Sequence, residues 1–189
     1  MLPAIEAKPA ELRTYAGERV HCELLEPEDT DELVSMLQVA SRARRRVTFR
    51  GHGQSLDTQS LNTDLVIGLR RLTELEFAED PVVVSVGAGV STGELARAAF
   101  ARGVFPAVLV TTSSASIAGT VSSNCVSRFT PTRGQEGDHV LGLELVTPQG
   151  ERLRCSRDHE ADVFHGVIGG LGYLGCITRV TLELDPGAR

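Results

Sequence analysis

Hydrophobic positions fall into short runs separated by polar and glycine-rich stretches. Residues 1–19 are polar, carry Pro3 and Pro9, and predict a loose lead-in. Residues 20–25 predict a strand. Pro27 to Thr30 then form a helix start, with Asp29 or Thr30 as N-cap and Asp31 and Glu32 in the first turn. Leu33, Val34, Leu37 and Ala40 follow at helical spacing, which predicts one buried face. The helix runs into Arg42, Arg44, Arg45 and Arg46, a cationic end that the helix dipole favours. Strands are predicted over 47–49, 64–69 and 82–86. Ser91 and Glu94 stand at capping-box spacing for a helix through Arg102, with Gly103 as its C-cap residue. Residues 140–147, a Pro148-Gln149-Gly150 turn and residues 151–155 predict a hairpin. Residues 158–168 predict a helix and 177–184 an alternating final strand, with Pro186 and Gly187 ending the domain. This order predicts an α+β fold. A small part covers about 20–80 and a larger one about 81–186.

Between the predicted strand 47–49 and its successor lies Phe49-Arg50-Gly51-His52-Gly53-Gln54-Ser55-Leu56. Glycine lets the backbone reach positive φ and approach a ligand with no Cβ in the way. Successive N–H groups in such a turn converge on an anion, a diphosphate being one case. A lone glycine pair equally suits a plain turn. Two further small-residue segments give the loop company, 116–124 (SIAGTVSSN) and 168–179 (IGGLGYLGCITR).

Bulk properties narrow the options. The chain has 189 residues, 41% of them hydrophobic, enough for a self-sufficient core. The net charge of −6 and the scarcity of aromatic residues argue against nucleic acid as the main partner. Cys22, Cys125, Cys155 and Cys176 form no C-x-x-C pair and have no zinc-finger spacing to histidine. Free thiols in a reducing compartment, and no metal, are expected. Neither a signal-type N-terminus nor a bilayer-length apolar run is present, so a cytoplasmic protein with no membrane partner is expected.

Two glycine runs mimic a dinucleotide fingerprint. Residues 170–175 read G-x-G-x-x-G, but they follow a predicted helix and precede a strand, the reverse of what a βαβ unit needs. Residues 87–93 follow a strand and open a helix, yet no acid stands where a ribose would need one.

In this order, RGHGQSL, AGTVSSN and GGLGYLGCITR resemble the FAD-binding domain of the vanillyl-alcohol oxidase family of flavoproteins. The nearest likeness is to cytokinin dehydrogenases, whose pattern reads R-G-x-G-H-S-L, G-G-T-L-S-N and G-G-L-G-x-x-G-x-I-T-R. The likeness spans roughly residues 20 to 186. It implies a PCMH-type FAD-binding fold, in which two α+β lobes hold FAD between them. By that resemblance Phe49, Gly51, His52, Gly53 and Ser55 line the pyrophosphate, followed by Gln59. Ser116, Gly119, Ser122 and Val126 contribute from the second segment and Ile177 from the third. Gly87–Gly89 become part of the floor beneath the cofactor. Ser116 and Ser122 equally suit turn caps, and Ile177 plain core.

Two departures separate this chain from the cytokinin dehydrogenase pattern. Gln54 stands where those enzymes carry the histidine that bonds covalently to the flavin, and an amide is not a usable nucleophile. Non-covalent FAD is therefore expected, with Gln54 free to hydrogen-bond to it. His52 occupies a phosphate-facing position instead. The base position, counted back from Gly119, holds Thr111, and a hydroxyl is a poor general base at neutral pH. The family continues into a substrate-binding cap domain, which is not expected here. Three functions follow: an FAD-linked oxidoreductase acting on a small molecule, a non-catalytic flavin module or subunit that needs a separate substrate-binding domain or partner, and a non-redox enzyme built on the flavin pocket.

Overall fold

A computed structural model describes residues 7–186. Pro3 of the lead-in and the stop signal at Gly187 lie outside the described residues. The chain builds two sheets. The first contains β1 (Lys8–Arg13), β2 (Arg19–Leu25), β3 (Val47–Arg50) and β4 (Leu65–Gly68), in the order β1-β2-β4-β3. The lead-in is thus not wholly loose: β1 pairs antiparallel with β2 from Lys8↔Leu24 to Arg13↔Arg19. β4 lies parallel to both β2 and β3. All four of its residues are buried, as a strand flanked on both sides requires.

Helix α1 (Thr30–Arg42) crosses between β2 and β3. Asp29 is its N-cap and accepts from the Glu32 N–H at 2.8 Å. Leu33, Leu37 and Ala40 are its buried residues. Burying a leucine fully is worth about 2 kcal/mol, so this stripe rather than the cap decides where the helix sits. Only Arg42 of the arginine run belongs to the last turn. Arg44 has φ 52°. Arg45 leaves the helix to pair with Asp64 at 2.5 Å and Glu23 at 2.8 Å. The Arg46 N–H and Arg45 together hold the Asp64 carboxyl below its ordinary pKa. The run therefore fastens α1 to β2 and to the turn before β4, rather than serving only as a cationic helix end.

The second sheet contains β5 (Leu75–Phe77), β6 (Val83–Gly87), β7 (Val140–Val146), β8 (Arg152–Ser156) and β9 (Cys176–Glu183), in the order β5-β6-β9-β7-β8. Every pairing is antiparallel. β5 belongs to this sheet although it falls within residues 20–80. Helix α2 (Thr92–Phe100) carries the predicted capping box, with Ser91 and Glu94 reciprocally bonded. Gly103 follows with φ +74°. The short helices α3 (Ile117–Ser122), α4 (Thr130–Arg133) and α5 (Ala161–Val167) complete the chain. Because α5 precedes residues 170–175 and β9 follows them, those glycines open no helix.

Candidate functional site

Three sequence segments meet around one partly open cavity of about 270 Å³. The first leaves β3, the second contains α3, and the third links α5 to β9. Their mutual contacts are direct. A Cβ on Gly51 would crowd the Ser116 hydroxyl, so the first and second segments lie in close contact there. The Gly169 N–H donates to Val121 O at 3.1 Å and the Leu171 N–H to Ser122 O at 2.9 Å. These bonds lay the third segment along α3. The nearest atom to a Cβ on Gly172 would be a ring carbon of Phe49, 3.8 Å away, which closes the ring of contacts. α3 is itself fixed to the loop between β6 and α2, the Ile117 N–H donating to Val90 O at 2.9 Å.

The loop after β3 has the character of an anion cradle. Gly53 adopts φ +69°. No backbone N–H from Gly51 to Ser55 donates to an acceptor among the described residues. The N–H groups of Ala118 and Gly119, in the uncapped first turn of α3, are also without acceptors there. Two guanidinium groups stand at the loop. Arg50 donates to Arg13 O at 2.7 Å and to Ser60 Oγ at 3.1 Å, and Arg70 donates to His52 O at 3.3 Å. Burial, and then the charge of Arg70, lower the Arg50 pKa. A bound anion relieves that repulsion. Donors, cations and glycines together fit a diphosphate.

Most residues predicted for the site are lining residues: Phe49, Gly51, His52, Gly53, Gln54, Ser55, Gln59, Ser116, Gly119, Ser122 and Ile177. Two are not. Val126 lies past the turn at Asn124 (φ 44°), is 57% exposed, and points away from the cavity that Cys125 lines. Thr111 is exposed, while Val110 and Thr112 line the wall. The segment alternates sides residue by residue, so a count off by one reverses the outcome. The Thr112 hydroxyl donates to Gln54 Oε1 at 3.2 Å, a contact that motif counting missed. Gly87 and Gly89 line no part of this cavity. Their missing Cβ atoms make room for Leu72 O and Leu69 O, so they serve packing rather than a cofactor floor. From the third motif only Ile177 is expected among the site residues, although Gly170, Leu171 and Gly172 also line the cavity.

Titratable chemistry at the wall is sparse. His52, Cys125 and Cys176 are its only such side chains among the described residues. His52 Nε2 lies 2.9 Å from Gly89 O, and a carbonyl only accepts, so this nitrogen carries the proton. Burial, and then the nearby Glu136, raise the Cys125 pKa, and burial raises that of Cys176. Both thiols stay protonated and unreactive.

A family model described as "FAD binding domain" matches residues 23–156. The chain belongs to that family. FAD is its cofactor, and the two-sheet α+β architecture is consistent with such a domain. Cytokinin dehydrogenase 2 of Arabidopsis thaliana is 30% identical over 162 residues, covering 84% of this chain and 32% of that protein. Cytokinin dehydrogenase 3 of Oryza sativa subsp. japonica is 33% identical over 165 residues, covering 84% and 31%. Decaprenylphosphoryl-beta-D-ribose oxidase of Mycolicibacterium smegmatis is 30% identical over 167 residues, covering 86% and 36%. These relatives make the chain a member of the PCMH-type flavoproteins, a family of flavin-dependent oxidases and dehydrogenases. It spans about a third of their length. None of the described helices is long and apolar enough to cross a membrane.

Proposed function

We propose that this chain is the flavin-binding part of an oxidoreductase, with FAD held non-covalently in the cavity and reduced by a small organic molecule. The convergence of the three segments on one glycine-lined cavity supports this reading most. FAD, when bound, supplies the hydride-accepting chemistry. The protein binds and orients it. The free N–H groups of Gly51–Ser55 hold the diphosphate, with Arg50 and Arg70 supplying the field. Gln54, steadied by Thr112, offers amide hydrogen bonds in place of a covalent link. The apolar side chains of Phe49 and Ile177 exclude water from the wall.

A second reading has its own support: the domain needs a further domain or partner chain to complete the reaction. Among the described residues the cavity wall has no carboxylate, and Thr111, at the position counted for the family base, lies outside it. A substrate must then be positioned by groups from elsewhere. Cytokinins are not proposed as substrates, since the residue that would take the amine proton is missing.

The test is the absorbance of the purified protein before and after acid precipitation. Yellow colour should leave with the supernatant. Colour retained in the pellet would refute the non-covalent link, and failure to take up added FAD would refute the assignment. Dye reduction by the isolated chain supports the first reading. Activity that appears only with an added partner supports the second.

A further inference from the structure

One acidic side chain stands behind this cavity with no counter-charge. Glu136 opens the 3₁₀ turn Glu136–His139, and only 6% of it is exposed. It forms no ion pair among the described residues. Its backbone N–H donates to Cys125 O at 3.0 Å, and the Cys125 N–H donates to Thr120 O at 3.0 Å. Cys125 and Thr120 both line the cavity. The carboxyl is thus one residue behind the wall. The Thr120 hydroxyl stands by it, but that hydroxyl also donates to Ile117 O at 3.0 Å. A single hydroxyl proton cannot serve both fully.

We propose that Glu136 is a proton-holding residue of the FAD cavity, whose ionisation weakens FAD binding. The inference rests on the cavity being the FAD site. Two effects act with the same sign. A carboxylate behind the cavity wall repels a dianionic ligand held in the cavity, through a low-dielectric medium. A buried carboxylate without a cation also draws in water, which loosens the Cys125 wall to which its backbone is bonded. Burial raises its pKa to about 7, which places the change near neutrality.

The charged and titratable groups around it do not neutralise it. The Cys125 thiol faces it, and α3 brings no titratable residue. On its own turn, Asp138 accepts from the Gln135 N–H and His139 meets Arg133 O. Arg157 donates to Gly137 O and Asp138 O. His52 also lines the cavity, so the experiment must separate the two.

The experiment is FAD affinity by fluorescence quenching between pH 6 and 8.5. In the native protein Kd should rise at least fivefold across that range. Glu136→Gln should hold the low-pH affinity throughout. As a second measurement, FAD binding by the native protein at pH 7.5 should take up a fraction of a proton, read calorimetrically in buffers of different ionisation enthalpy. That uptake should persist in His52→Gln. A flat Kd, no proton uptake, or a pH dependence that survives in Glu136→Gln would overturn the proposal. Failure to bind FAD at every pH would instead remove the cavity assignment beneath it.

Discussion

Two loops of this protein are spelled alike and do opposite work. Gly51-His52-Gly53 follows β3, and Gly87-Ala88-Gly89 closes β6. In the second loop every N–H is taken. Gly87 donates to Glu74 O at 2.7 Å, Ala88 to Thr178 O at 2.9 Å and Gly89 to Leu72 O at 2.8 Å. Its glycines let one backbone lie against another, with Leu69 O 2.3 Å from where a Cβ on Gly89 would sit. In the first loop the N–H groups have no such acceptors among the described residues, and the loop residues line a cavity. A G-x-G spelling therefore reports close approach, while the fate of its N–H groups tells whether the neighbour is protein or ligand.

The largest expected effect breaks the comparison at its packing side. Gly89→Val should cost about 3 kcal/mol, the upper part of the overpacking range, because backbone cannot yield. Urea denaturation measures it. A stable variant that merely loses FAD would reverse the roles of the two loops.

A control that touches neither loop comes next, through Glu136. Burial raises its carboxyl pKa to about 7, against 4.5 for an ordinary glutamate. Between those values the folded protein holds a proton that the unfolded chain has released. Stability should thus fall as pH rises from about 4.5 to 7, by roughly 3 kcal/mol in all. Glu136→Gln should remove that slope in urea melts run at several pH values, leaving the contrast between the loops unchanged.

Gly53→Val tests the ligand side. A left-handed residue bearing a β-branch costs about 1–2 kcal/mol. The new side chain would also collide with Arg50 Nη2, 2.1 Å from the ideal Cβ. FAD affinity should drop at least tenfold, measured by fluorescence quenching, while the protein stays folded. Thr112→Val should weaken FAD binding severalfold, as expected from losing a hydrogen bond worth about 1 kcal/mol. Thr111→Ala, one residue away, should leave affinity and stability within about 0.5 kcal/mol of the native protein. Equal effects at 111 and 112 would show that the segment does not alternate as described.

Much of the architecture was legible because it rests on local signals. The Asp29 cap, the Ser91–Glu94 box and the hairpin of β7 and β8 each have a short-range cause. β1 was missed because its sequence, KPAELR, is mostly exposed, and backbone bonds to β2 hold it. β5 has only three residues, too few for a period. At the site, the glycine motifs fall on the cavity wall, while Thr111 and Val126 fall outside it. Motif spacing carries no information about which side of an extended segment faces inwards. Glu136 gave no signal either, since a single glutamate in a polar stretch reads as surface.

The order β5-β6-β9-β7-β8 makes β9 the strand that joins the two halves of its sheet. β9 is the last strand of the described residues yet occupies the middle of its sheet, between β6 and β7. Until it arrives, each of those strands presents an open edge, the kind of surface on which chains aggregate. The same insertion brings residues 170–177 against α3 and finishes the cavity. Completion of the sheet and of the cavity thus share one strand. A ligand that binds the completed form stabilises it by mass action.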